Sequence, residues 1–195
     1  LTLLWLRGRA MIRVFVELAI MVPFWLSVLS RAFGWLSLLS NRGLFNTWLQ
    51  GLGIISEPLT LVRTEMGVIV GMVHFLIPFA VFPLASAMRS VDDRVILAAQ
   101  GMGASRIRIF WQIFVPMTKS GIFGAALLVF VFALGFYILP TLLGGGRSVM
   151  IAELIYLRIF QIPNWGLAAA LSALMMVSIG AFLVILIKRT GVADQ

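Results

Sequence analysis

Four stretches of this sequence have nowhere to fold but inside a lipid bilayer. From Ala10 to about Ser30, Glu65 to Met88, Gly121 to about Pro140 and Leu167 to Ile187 the residues are almost all apolar. Each run is close to the ~20 residues an α-helix needs to cross a ~30 Å hydrocarbon layer. Inside that layer the backbone must satisfy its own polar groups, which a helix does within one segment. Composition leaves no other solvent, since 62% of residues are hydrophobic and 11% charged, with a mean hydropathy of +1.08. A soluble domain carries about a quarter charged residues. The expected fold class is all-α, a polytopic transmembrane helical bundle of about four full spans plus part of an earlier one, forming a single domain over 1–195.

The details within the runs refine this expectation. Leu1 to Leu6 read as the last turns of a helix whose beginning is missing, followed by a basic turn at Arg7, Gly8, Arg9 and Arg13. Pro23 should bend the first span, and Pro78 and Pro83 the second, a distortion membrane helices tolerate when neighbours re-satisfy the freed carbonyls. Gly67 and Gly71 form a small-xxx-small pair suited to close helix packing. From Arg31 to Arg63 the half-polar pieces admit no continuous span and read as a loop on the membrane face, with Trp35 and Trp48 at the water-lipid boundary. A second such loop, Thr141 to Gly166, carries Gly144-Gly-Gly-Arg147 and an apolar segment from Val149 to Phe160, expected to be a short interfacial helix.

Charge orients the chain. Placing the loop after Met88 in the cytoplasm puts Arg7, Arg9, Arg13, Arg89, Arg94, Arg106, Arg108, Lys119, Lys188 and Arg189 inside. That is ten of the fifteen basic residues, and Arg31, Arg42, Arg63, Arg147 and Arg158 stay outside. The positive-inside rule favours this arrangement. The net charge of +8 therefore marks span ends, not a nucleic-acid surface, which needs clustered cations and aromatics on one solvated face.

The cytoplasmic loop, residues 89–120, is the most structured polar stretch. Ser90 or Asp92 can cap a helix from Asp93 to Gln100, with Val91, Val95 and Ala99 on one face. Gly101 and Gly103 break it. Ser105 can cap a second helix that gathers Ile107, Phe110, Trp111 and Phe114 on one side and offers Arg106, Arg108 and Gln112 on the other, with Pro116 near its end.

This loop resembles the signature of binding-protein-dependent ABC transporter permeases, which runs Glu-Ala-Ala, three residues, Gly, nine residues, Ile, one residue, Leu-Pro. Ala98, Ala99, Gly103, Ile113 and Pro116 fall at the matching spacings, while Leu97 stands in place of the Glu and Val115 in place of the Leu. Pro23 to Ser27, Arg31 with Trp35, Asn41 to Gly43 with Asn46, Pro78-Phe79, Pro83-Leu84, Pro140, Leu143 to Gly145, Asn164-Trp165 and Ala168 to Ala170 are similar to the spermidine/putrescine branch of those permeases.

The resemblance implies a fold of the type I importer permease kind, with six spans in that branch, so the first span and most of the second are expected to be absent. It implies a coupling loop built from Asp93, Leu97, Ala98, Ala99, Gly101, Gly103, Ala104, Ser105, Phe110, Ile113 and Pro116. It implies, as partners, an ATP-binding subunit, a second permease that is either identical or different, a periplasmic or extracellular solute-binding protein and membrane lipid, with no nucleic acid. The place would be a bacterial cytoplasmic membrane, and the solute a polyamine such as spermidine or putrescine ahead of iron, thiamine or another small solute.

The sequence itself fits a non-catalytic subunit. No Gly-x-x-x-x-Gly-Lys-Ser/Thr loop exists to cradle phosphates, so no cofactor is expected on this chain and ATP belongs to the partner. One His, no Cys and seven scattered acids leave no constellation for a membrane-embedded enzyme. The alternative is a membrane scaffold or a secondary-transporter subunit that needs no ATPase. Candidate solute-path residues are His74, Tyr137 and Glu153. Of these, His74 is expected to be neutral and hydrogen-bonded between helices, Tyr137, Trp165 and Trp35 to anchor at the interface, and Glu153 to pair with a nearby Arg. Glu17 is expected to pair with Arg13 one turn away.

Overall fold

The computed structural model describes residues 1–146 and 149–190, with side chains other than those of Leu4, Arg7 and 186–190. Arg147 of the Gly-rich loop lies outside the described residues. The elements in chain order are α1 (Thr2–Arg7), α2 (Ala10–Trp25), α3 (Val28–Leu39), α4 (Leu44–Gly51), α5 (Glu65–Arg89), α6 (Asp93–Gly101) and α7 (Arg106–Ile109). A π-helical turn (Phe110–Phe114) joins α7 to α8 (Val115–Met117). Then come α9 (Lys119–Gly135), α10 (Ile138–Gly144), α11 (Ile151–Tyr156), a second π turn (Leu157–Gln161) and α12 (Trp165–Thr190). No strand occurs among the described residues.

Two of the expected spans are single helices, α5 over Glu65–Arg89 and α12 over Trp165–Ile185. The other two are broken. α2 ends at Trp25 after 16 residues, about 24 Å of rise, and a separate helix begins at Val28. Its interior Pro23 cannot donate to the carbonyl one turn back, which weakens the last turn. α9 stops at Gly135 rather than at Pro140. Pro140 instead occupies the first turn of α10, where a missing N–H costs nothing because those N–H groups have no helical partner. The stretch between Arg31 and Arg63 is likewise more ordered than a surface loop, forming most of α3 and all of α4. A short helix is present in the stretch from Thr141 to Gly166 as α11 and its π turn.

One compact unit comprises Leu1–Trp25 with Leu76–Phe130. Val16 and Ile20 of α2 meet Val81 of α5 in a buried cluster flanked by Trp5, Ile77 and Phe82. Phe24 sets its ring edge-on to Phe79 and Phe82, with centroids 5.9 and 5.6 Å away, the arrangement favoured by aromatic quadrupoles. Gly121 of α9 lies so close to Ala87 of α5 that a Cβ would collide with it. Glu17 accepts a hydrogen bond from Trp5 Nε1 at 3.4 Å instead of pairing with Arg13. An exposed i,i+4 ion pair is worth only ~0.3–0.5 kcal/mol, too little to hold two long side chains against that indole.

The other unit comprises Leu26–Phe75 and Val131–Gln195. Its α3–α4 hairpin is fastened by Asn46, which is wholly buried. The Asn46 Nδ2 donates to the carbonyls of Ser40 (3.1 Å) and Leu59 (2.9 Å), and its Oδ1 accepts from the Leu59 N–H at 2.8 Å. α10 packs on α3 and buries Leu139, Pro140 and Leu143. Gly71 of α5 faces Leu143 and Leu139 with no room for a side chain, while Gly67 faces the Leu61 carbonyl. Close helix packing thus explains Gly71 alone of that glycine pair. Only 6% of the α12 span is buried, so its Leu174, Met176, Val177, Val184 and Ile185 need lipid or another subunit as cover.

Candidate coupling site

The loop after α5 is built as the caps dictate. Asp92 accepts the Arg94 N–H at 2.8 Å and starts α6, and Ser105 accepts the Arg108 N–H at 3.3 Å and starts α7. Each relieves one of the N-terminal donors that a helix leaves unpaired. α6 ends in a Schellman motif, with Gly103 N–H bonded to the Gln100 carbonyl (2.9 Å) and Ala104 N–H to the Ala99 carbonyl (3.1 Å). That closure requires a left-handed residue at Gly103, whose φ is +82°, and brings Ala99 and Ala104 together. The four-residue step from Ala99 to Gly103 is therefore the step from the third-last helical residue to its left-handed stop.

The helix pair packs into a small core of its own. Val91, Ile96, Ala99, Ile109 and Phe114 are buried, with Met88, Ala104, Phe110 and Ile113 partly buried against them. The buried face of the second helix is not the one expected from an α-helical period. Ile107 and Trp111 are 75% and 63% exposed, and Val95 also faces outward. The cause is the π turn, in which Val115 N–H bonds the Phe110 carbonyl five residues back. The wider turn slips the register by one residue. Pro116 follows directly and would clash with the Gln112 carbonyl in a regular helix. The second π turn likewise precedes a proline, Pro163.

The predicted coupling residues divide accordingly. Asp93, Leu97, Ala98, Gly101, Gly103, Ser105 and Pro116 are exposed, whereas Ala99 is buried and Ala104, Phe110 and Ile113 are half-buried in the loop's own core. Missed from sequence was Met102, 81% exposed between its two glycines. Leu97 on α6 is exposed as well, at 63%. A long apolar side chain between two glycines was the available signal. Beside the loop core lies a cleft of about 320 Å³, lined by Leu3, Ile96, Gln100, Arg106, Ile109, Phe110 and Phe114.

The three candidate path residues are in the other unit and differ in environment. His74 Nδ1 accepts from Trp35 Nε1 at 3.2 Å, so its proton, if single, sits on Nε2. The helix-linking role expected of His74 is what this bond performs, and it draws Trp35 inward instead of leaving it at an interface. Arg31 lays its guanidinium over the Phe75 ring, 4.3 Å from the centroid, with Nε and Nη1 buried and unpaired. Phe75 meets Phe136 at 4.4 Å, and the next residue, Tyr137, stacks on Tyr156 at 4.8 Å. Glu153 is buried and its Oε2 has no hydrogen-bond partner, so the expected pairing with an Arg does not occur among the described residues. Trp165 and Trp48, 70% and 74% exposed, suit interfacial anchoring.

Residues 6–190 match the model of the binding-protein-dependent transport system inner membrane component family. The chain belongs to that family. Among its relatives, the spermidine/putrescine transport system permease protein PotB of Escherichia coli K12 is 34% identical over 166 residues, covering 85% of this chain and 60% of the relative. PotB of Haemophilus influenzae is 35% identical over 153 residues, covering 78% and 54%. The inner membrane ABC transporter permease protein YdcU of Escherichia coli is 27% identical over 195 residues, covering 93% and 61%. This chain thus spans about three-fifths of the length of the PotB relatives. Its fold is shared with a chain of a bacterial ABC transporter involved in the import of the acidic polysaccharide alginate, with a TM-score of 0.74 at 17% identity, covering 94% of this chain and 68% of that one.

Within this permease family the loop signature acquires a structural meaning here. Ala99 and Gly103 are two ends of one helix stop, Ile113 lies in the π turn against the loop core, and Pro116 sets the turn's position. Ala98 and Leu97 alone of the first three signature positions face outward.

Proposed function

We propose that this chain is one membrane-spanning subunit of an ATP-driven importer in a bacterial inner membrane, and that its solute is a small organic cation of the polyamine class. A second permease subunit completes the path, a solute-binding protein delivers cargo from outside, and a separate ATPase grips the loop of residues 89–120. The observation that carries this reading is the self-packed, doubly capped helix pair, which leaves Leu97 and Met102 exposed. Lipid does not reach side chains on the cytoplasmic side, and the same helix pair exposes Arg94, Arg106 and Arg108. Such a surface fits an apolar groove with an acidic rim. ATP binding that closes the groove would pull the loop and rock the spans attached to it. The polyamine assignment draws on the PotB relatives at 34% identity.

The test is reconstitution with the ATPase, partner permease and binding protein in lipid vesicles. Replacing Leu97 and Met102 together with Asp should release the ATPase on co-purification and lower ATP-driven spermidine uptake at least tenfold. Unchanged uptake, or uptake driven by an ion gradient with no ATPase present, would overturn the reading.

A further inference from the structure

We infer that Glu153 is the carboxylate that receives an ammonium group of the transported solute, beside the Tyr137–Tyr156 ring pair; this rests on the importer reading above. Glu153 is 4% exposed and its Oε2 is sealed from solvent without a donor. A carboxylate held that way is strongly disfavoured unless a cation or hydrogen bonds complete it, and buried polar groups in folded proteins are almost always completed. The described residues supply no such partner to Oε2. Arg158 on the adjoining π turn makes no bond to Oε2, and no other described residue donates to that oxygen.

The surroundings select the kind of cation. No cluster of His, Cys, Asp or Glu able to hold a metal ion occurs among the described residues, so one carboxylate must act without further anionic help. An organic ammonium can be held by that single charge together with aromatic faces, which attract cations through their quadrupoles. Such faces are at hand. Tyr156 lies one turn beyond Glu153 on the same side of α11, stacks on Tyr137 and meets Phe160 at 5.1 Å. The same unit already carries a cation on an aromatic ring, the Arg31 guanidinium over Phe75. From there the contacts Phe75–Phe136 and Tyr137–Tyr156 run as a nearly continuous aromatic track to the turn that bears Glu153.

The experiment compares wild type with Glu153→Gln and Glu153→Asp, each in the complete transporter. Equilibrium binding of spermidine to the paired permeases in nanodiscs is measured beside ATP-driven spermidine uptake. Gln keeps the shape and removes the charge, so binding should weaken and the uptake KM rise at least tenfold. Asp should recover part of the loss. Wild-type affinity and KM in Glu153→Gln would overturn the assignment while leaving the importer reading intact, because the carboxyl would then be a neutral structural group. Glu153-dependent binding without any ATP-driven uptake would overturn the importer reading and retain the site. Absence of spermidine binding to the wild type would overturn the organic-cation class. If Glu153→Gln failed to assemble, Tyr156→Leu should give the same loss of affinity with the carboxylate in place, and an unaltered affinity there would overturn the paired site.

Discussion

Gly101 and Gly103 sit two residues apart in the loop after α5 and answer to different physics. Neither would meet another atom within 4 Å if given a side chain, so space distinguishes nothing. Backbone conformation does, because Gly103 alone is left-handed and closes the Schellman motif. Gly103→Ala should lower the opening free energy of α6 by ~1–2 kcal/mol, whereas Gly101→Ala should raise it by up to ~1 kcal/mol through helix propensity. Hydrogen exchange at the α6 amides reads both changes, and equal effects of one sign would refute the distinction. At this scale the caps were legible in the sequence. Asp92 and Ser105 are short acceptors placed just before helical patterns, and such chemistry is local. The environments of Asn46, Trp35 and Glu153 were not legible, since each depends on what a distant segment brings alongside. Asn46 needs the Leu59 backbone 13 residues on, and Trp35 needs His74 39 residues on.

The elements show where periodicity misleads. A steady 3.6-residue period would gather Ile107, Phe110, Trp111 and Phe114 on one face, but the π turn breaks the count and leaves Ile109 and Phe114 inside. The warning sign was Pro116, read from sequence only as a helix end. Deleting Gln112 should remove the extra residue of that turn, rotate what precedes it by about 100° relative to Phe114 and disperse the loop core. Loss of protection at Ile96 and Ala99 in hydrogen exchange, with the amides of α12 unchanged, is the expected outcome. Protection equal to wild type would mean that the wide turn does not set the register. The same element-level blindness moved the end of α9 to Pro140. A proline marks a boundary, but the sequence alone does not say whether the helix lies before it or after it.

For the whole molecule, composition and run length were enough to establish a helical membrane protein, because hydrocarbon permits so few backbone solutions. They could not reveal that two of the spans are broken, since an apolar run reads alike whether the helix through it is continuous or interrupted. Exposed Leu97 and Met102 have a consequence for how such a protein is kept in stock. On the proposed reading, until an ATPase covers them they are apolar side chains in water, the kind of surface that chaperones and proteases recognise. Synthesised without the proposed ATPase partner, the chain should therefore be short-lived, and the cell's supply of one subunit would set the level of the other. Pulse-chase labelling should show a several-fold longer half-life when the ATPase is co-expressed. The Leu97→Asp, Met102→Asp chain should persist regardless. A half-life indifferent to the ATPase would show that surplus copies are not discarded through this patch.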